Sequence, residues 1–359
     1  MAARRGDTLL FERMPVIASH AAVGGKKEGE GPLAAEFDEL FPDNNCGQAN
    51  WETAEKILQL RAARLCLKKA HTTEKQVSLV LAGDLQAQCT ASSYALRELH
   101  LPFVGLFGAC STMAEALGLG AALCSAGLAD GLLAMTSSHF CAAERQFRTP
   151  LSYGAIRTPT AQWTATAAGC CLLHPAGQGV GIAAATFGRV EDYQIKDINN
   201  MGAAMAPAAA ATLLRYLHDT GQEPKEFDAI YTGDLGHLGS RLFREILTAE
   251  GLVMKNHIDC GSILYDAARQ NVKSGGSGPG RRPLRAHPAP AGAGELSAGA
   301  VHRHRGAYEP DHVFTKREHP GHCASGGAAR AGMLCERMMR CSISGRLWWA
   351  GSSAWRASF

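Results

Sequence analysis

Between residues 9 and 270, short apolar runs alternate with stretches of helical spacing. Ile57, Leu58, Leu60, Ala63 and Leu65 recur on one helical face and predict a helix over 51–70. Residues 77–82 are a β-branched and leucine run that ends at Gly83-Asp84, the mark of a buried strand. The same reading predicts helices over 92–99, 111–126, 203–220 and 241–250. It predicts strands over 103–107, 131–136, 169–173, 179–190 and 227–232, with a turn at Pro175-Ala176-Gly177. Strands and helices in alternation predict an α/β fold, a sheet covered by helices on both faces. A second round of the pattern begins after Met201, so two α/β halves are expected, residues 1–190 and 191–278, the boundary falling near 180–200.

After Gly278 this rhythm stops. Pro279-Gly280-Arg281-Arg282-Pro283 opens a tail with no sustained period of 2.0 or 3.6. From Pro279 onward there are 12 Lys+Arg against 5 Asp+Glu, a balance of +7, which leaves the first 278 residues 24 against 28, or −4. The tail holds 11 Arg to one Lys and six of the 14 His. One reading is a basic, His-rich binding tail. The favoured reading is a region translated out of frame from GC-rich DNA, disordered and outside the fold, which leaves the second half incomplete. The overall charge of +3 therefore averages two unlike regions. The acidic body carries no basic stripe, which argues against nucleic acid as a partner.

Nothing in the chain reads as a transmembrane segment or a secretory signal. The 12 cysteines are scattered and form no CxxC pair, so they read as reduced thiols of a cytoplasmic protein. His319-Pro320-Gly321-His322-Cys323 lacks a second ordered pair of ligands, and no metal is expected. Gly177-Gln178-Gly179-Val180-Gly181 lacks the strand-before, helix-after context of a dinucleotide loop, and no cofactor is expected either.

The chemical focus is Cys110, in Phe107-Gly108-Ala109-Cys110-Ser111-Thr112, where a predicted strand meets a predicted helix. Small neighbours permit a tight turn. Ser111 or Thr112 is placed to cap the helix, and the Ser111 amide to receive an anion. A helix N-terminus also favours the thiolate. Downstream lie Ser137-Ser138-His139-Phe140, then Arg145, Arg148, Arg157 and Trp163, a polar cluster in an otherwise apolar chain. Arginine forks suit carboxylates. The blander alternative pairs Glu144 with one of these arginines at the surface.

Several long segments carry a family resemblance. Pro15-Val16-Ile17, Lys27-Glu28-Gly29-Glu30-Gly31-Pro32-Leu33, Phe37-Asp38, Ala82-Gly83-Asp84-Leu85 and Gly105-Leu106-Phe107-Gly108-Ala109-Cys110-Ser111-Thr112 are among them. With 136–140, 143–148, 161–164 and 231–236, they resemble the stage V sporulation protein AD family from about residue 9 to Gly278. That resemblance implies a thiolase-like fold, two related α/β halves in a layered αβαβα arrangement. It also implies a protein of spore-forming bacteria that binds dipicolinic acid and supports its uptake into the developing spore. Its partners would be membrane-embedded sporulation proteins of the same operon, with the protein cytoplasmic or peripheral on the spore inner membrane, and a homodimer is expected.

Condensing enzymes of this fold use the cysteine as acyl acceptor, with His and Asn, or a second His, as partners. In the ketoacyl synthase pattern a His-Gln-Ala-Asn stretch follows the strand predicted at 227–232; here it reads Gly233-Asp234-Leu235-Gly236, with His237 just beyond. The later motif corresponds to Gly275-Gly276-Ser277-Gly278, which brings no imidazole. A non-catalytic binder is therefore expected, with Arg145, Arg148 and Arg157 on the ligand carboxylates and Trp163 or Phe140 on its ring. Ser111, Thr112 and Ser138 complete the expected pocket. The alternative is a Cys110-dependent acyltransferase acting on a CoA thioester, with His139 or His237 as substitute base.

Overall fold

A computed structural model describes residues 2–147, 158, 160–197 and 199–276, with two further strands at 311–315 and 347–350. Two mixed sheets dominate. In the first, Val16–Gly24 and Ala167–His174 run antiparallel, followed by Leu132–Ser138, Leu79–Gly83 and Phe103–Gly105. The last three strands are mutually parallel, which requires helical crossovers. Thr90–Leu99 and Thr112–Ser125 supply them.

Helix Trp51–Lys69 begins at an Asn50 cap, whose side chain accepts the Thr53 N–H at 2.9 Å. Its apolar face puts Leu58, Ala62 and Cys66 against Val80, Leu133, Met135 and Leu172, all at most 1% exposed. Each large side chain buried there contributes about 1.5–3 kcal/mol.

Thr112–Ser125 is buried on nearly every side, because it lies between the two sheets. Met113, Ala116, Leu117 and Ala121 touch Leu132, Ala134 and Leu173 of the first sheet and Phe11 and Ala185 of the second. Gly120 is small where the helix meets the strand: a Cβ there would lie 2.8 Å from the Leu132 Cδ2. Met201–Thr220 and Gly236–Ala249 cover the far side with Met205, Leu213, Phe243 and Leu247, packed with Ile230 and Ala184.

The second sheet runs Ala2–Arg5, Thr8–Phe11, Ala184–Phe187, Asp311–Thr315, Leu347–Ala350, Ala229–Thr232 and His257–Asp259. Three differences from the sequence reading stand out. Residues 179–190 are not one strand. Val180–Gly181 closes the first sheet and Ala184–Phe187 enters the second, so the chain changes sheets at Ile182-Ala183. The chain's first strands also join the second sheet, so the sheets do not divide the sequence at one point. Finally, two short segments of the tail are strands, where the sequence reading places none. Val313, Phe314, Trp348 and Trp349 are strong strand formers, and that local preference escapes a test of long periodicity. The rest of the tail, including 319–323, lies outside the described residues.

Candidate functional site

Cys110 sits where the sequence places it, in a single 3-10 turn, Ala109–Ser111, at the head of the sandwiched helix. The parallel strand below approaches closely. Leu106 donates its N–H to Ala82 O at 2.8 Å, and a Cβ on Gly83 would fall 2.3 Å from Leu106 O. Ala109 holds a φ of +46°, a left-handed conformation that costs an alanine of order 1 kcal/mol or more. The turn drives Cys110 inward, to 2% exposure, against Ala184, Met201 and Met205. All nine described cysteines are thiols.

Ser111 and Thr112 do not act as expected. The Ser111 hydroxyl and N–H both donate to Gly108 O, at 2.8 and 2.9 Å, and the Thr112 hydroxyl donates to Ala109 O at 2.9 Å. In so tight a turn the nearest acceptors are the carbonyls just behind, so both hydroxyls close the turn and neither caps the helix. The Ser111 amide belongs to the turn too, which removes it as an anion site.

The second cluster begins where strand Leu132–Ser138 ends. Ser138 donates its hydroxyl to Ala165 O at 2.8 Å. His139 is fully buried, its Nε2 lying 2.6 Å from Asn44 O. A carbonyl only accepts, so Nε2 carries the hydrogen and Nδ1 the lone pair. Burial holds the ring below the usual histidine range, which keeps it neutral. Phe140 starts helix Phe140–Phe147, which carries Arg145, and donates its N–H to Thr166 Oγ1 at 3.2 Å. Arg148 and Arg157 lie outside the described residues.

Trp163 belongs to a two-residue strand paired with Gly275, its N–H donating to Ser274 O at 2.8 Å. Trp163 or Phe140 is the aromatic expected on a ligand's ring. The two stack on each other, centroids 3.9 Å apart and planes within 11°, while Lys27 Nζ sits 4.5 Å over the indole and donates to Gln270 O at 3.0 Å. Lys27 and the fully buried Glu28 were not anticipated as site residues. Glu28 Oε1 accepts the Thr166 N–H at 3.0 Å and the Tyr265 hydroxyl. The Lys27-Glu28-Gly29-Glu30 run reads as a solvated charged surface, and only the fold carries it to Thr166 and Trp163.

The third group follows strand Ala229–Thr232. Asp234 is buried, and its carbonyl accepts from Gln162 Nε2 at 2.6 Å. Asp259, 3% exposed, organises this loop. It accepts from the Leu235 and Gly236 N–H groups, both at 2.9 Å, and from Thr232 Oγ1 at 2.7 Å. Ser262 adds its N–H and hydroxyl at 2.9 and 3.1 Å. Burial pushes the Asp259 carboxyl up from its ordinary value and these donors oppose the shift. His257 Nε2 meets Thr232 Oγ1 at 2.9 Å; since that hydroxyl donates to Asp259, His257 is the donor. His237 is exposed at the start of helix Gly236–Ala249, where its N–H donates to Ser274 Oγ at 3.2 Å. Cys110 and His139, by contrast, are buried. Among the described residues, no three His, Cys, Asp or Glu gather to hold a metal ion.

Two helix-covered sheets around a shared helix, with a buried cysteine in the turn at its head, define a thiolase-fold protein. Solved structures agree on the fold. An OleA variant from Xanthomonas campestris superposes with a TM-score of 0.52 at 13% identity, over 77% of this chain and 88% of that one. Cerulenin-bound OleA from the same organism gives 0.52 at 14%, over 78% and 89%. Within that fold, the chain belongs to the stage V sporulation protein AD family, whose model matches residues 5–284. The stage V sporulation protein AD of Bacillus subtilis (strain 168) is 40% identical over 273 residues, 76% of this chain and 80% of that protein. The chain is thus a sporulation protein built on a thiolase-like fold.

Proposed function

We propose that this chain is a non-catalytic binder of dipicolinic acid that supports its uptake into the developing spore. The observation that carries the reading is what occupies the positions of a condensing enzyme's partners. The loop 233–236 presents no imidazole, and its Leu235 and Gly236 amides are committed to Asp259. Gly275 and Gly276 pair with Trp163 and Thr164 as backbone. His139 is neutral, with its Nε2–H committed to Asn44. A thiol held in such surroundings lacks the usual means of passing protons and stabilising an oxyanion.

The binding side rests on charge. Arg145 is carried by the helix that begins at Phe140, whose ring stacks on Trp163 with the Lys27 ammonium over the indole. Arg148 and Arg157 flank the same stretch of sequence. A flat diacid would take its two carboxylates to these cations. No described helix is long and apolar enough to cross a membrane, so membrane-embedded sporulation proteins would supply the passage and this chain would dock on them. Calorimetric titration with dipicolinate tests the reading: Arg145→Ala with Arg148→Ala should lose at least tenfold in affinity, and unchanged affinity would refute it.

The second reading is acyl transfer through Cys110, favoured by the strained Ala109 that fixes the turn. It predicts an acyl adduct by mass spectrometry after incubation with an acyl-CoA, absent from Cys110→Ala.

A further inference from the structure

Under the Cys110 turn lies a group of buried polar side chains that neither reading uses. Glu55, on helix Trp51–Lys69, is fully buried. Its Oε1 accepts from the Ser137 hydroxyl at 2.8 Å and its Oε2 from Gln86 Nε2 at 2.9 Å. Asp84, 8% exposed, accepts the Gln86 N–H at 2.9 Å on Oδ1, and on Oδ2 the Ser92 N–H and hydroxyl at 2.8 and 2.7 Å. Gln59 Nε2 adds bonds to Ser92 Oγ at 2.9 Å and Gly83 O at 3.3 Å. Gln86 therefore bridges two buried carboxyls through its backbone and its side chain, and every donor that reaches them is neutral.

Two carboxylates buried together without a cation cannot both stay ionised cheaply. The charges that act on Glu55 are those of Asp84 and Glu52, both acidic. Of the neighbouring titratable groups, Lys56 is paired with Glu98 at 2.6 Å, and His139 is neutral. Cys66 and Cys170 pack between the same helix and the first sheet as buried thiols. The Gln86 amide and the Ser137 hydroxyl can each reverse, so either can accept from a protonated Glu55 as readily as donate to an ionised one.

We infer that Glu55 and Asp84 share a single proton across Gln86, and that losing this proton releases residues 84–92 from helix Trp51–Lys69. The site is a proton-gated joint beneath the candidate site. Its position gives the release a consequence. Gly83 lies against Leu106 and Thr112 of the Cys110 turn, and Cys89, at a φ of +55°, ties its thiol to Leu106 O at 3.2 Å. Burial first and the Asp84 charge second push Glu55 up to about 8, and burial pushes Asp84 up as well. The folded protein keeps a proton that the unfolded chain gives up in the ordinary carboxylate range. The pair's own contribution to stability is then complete at acid pH and falls as pH rises from that range to about 8, close to tenfold in the folding constant per pH unit.

Two measurements on the full chain test the joint. The first compares urea midpoints of wild type and Glu55→Gln from pH 5 to 9. Wild type should lose stability with rising pH more steeply than the variant, by the slope just described, and parallel profiles would overturn the shared proton. If Glu55→Gln does not fold, infrared titration of wild type and Asp84→Asn replaces it. A protonated-carboxyl band should vanish near pH 8 in wild type and at lower pH in Asp84→Asn; an unmoved band overturns the proposal. The second measurement follows iodoacetamide labelling of Cys89 at pH 9 by peptide mass spectrometry. Labelling several-fold faster in wild type than in Glu55→Gln supports release of 84–92, and equal rates overturn it.

Discussion

Removing the Asp259 carboxylate probes the loop that stands where a condensing enzyme would carry its histidine. Five donors converge on it, three of them backbone amides, from Leu235, Gly236 and Ser262. The Thr232 and Ser262 hydroxyls can swing to other acceptors, but the amides are fixed by the loop and the helix start. An orphaned buried donor costs about 1–3 kcal/mol. Against that, the variant no longer buries a charge, a gain whose sign follows from the upward push on this carboxyl. The amides outweigh it, and Asp259→Ala should lose about 2–4 kcal/mol. Asp259→Asn should lose nearly as much, since its NH2 would face the N–H groups that Oδ2 now accepts. Urea unfolding at neutral pH, with an unchanged m-value, gives the number. If Asp259→Asn lies within about 0.5 kcal/mol of wild type, the amides do not depend on a charged acceptor and the reasoning fails.

Four further outcomes follow. Leu58→Ala, at a fully buried site between helix and sheet, should cost about 2–5 kcal/mol in the same assay. Gly179→Ala should destabilise by about 2 kcal/mol or more, because φ is +147° and the new Cβ would fall 2.3 Å from Ile17 O. His257, held down to about 3 by burial and then by Arg244, takes up its proton far more readily in the unfolded chain; stability should fall as pH drops from 6.5 towards 3, and His257→Gln should flatten that slope. Burial pushes Cys46 up to about 12 and Cys124 up to about 11, so alkylation of these two thiols at pH 8 should be slow in the folded protein and rapid in urea, as peptide mapping would show.

Periodicity made the outer helices and the parallel strands legible, because Leu58, Val80 and Leu133 each mark a buried face directly. The long strand Val16–Gly24 escaped the reading: Ser19, His20 and four alanines or glycines dilute its apolar signal, although Ser19 is satisfied by donating to Cys66 O. The passage between sheets at Ile182 was invisible for a different reason. One run of strand-forming residues says nothing about which sheet each part joins. At the site, small residues around Cys110 announced a tight turn, and the structure has one. The hydroxyls beside it were misread because capping and turn closure call for the same residue types. Asp259 and Glu55 gave no signal at all. An acidic residue in a sequence reads as surface, and only the convergence of Thr232, Leu235, Gly236 and Ser262, or of Gln86 and Ser137, identifies it as buried.

The proposed binding mode holds dipicolinate through Arg145 and Arg148 and leaves the Cys110 thiol unused. Calorimetric titration of dipicolinate into wild type, Cys110→Ala and the Arg145→Ala, Arg148→Ala double variant tests it most directly. Equal affinity is expected for wild type and Cys110→Ala, and at least a tenfold loss, about 1.4 kcal/mol, in the double arginine variant. Binding that vanishes in Cys110→Ala while surviving the arginine changes would contradict it.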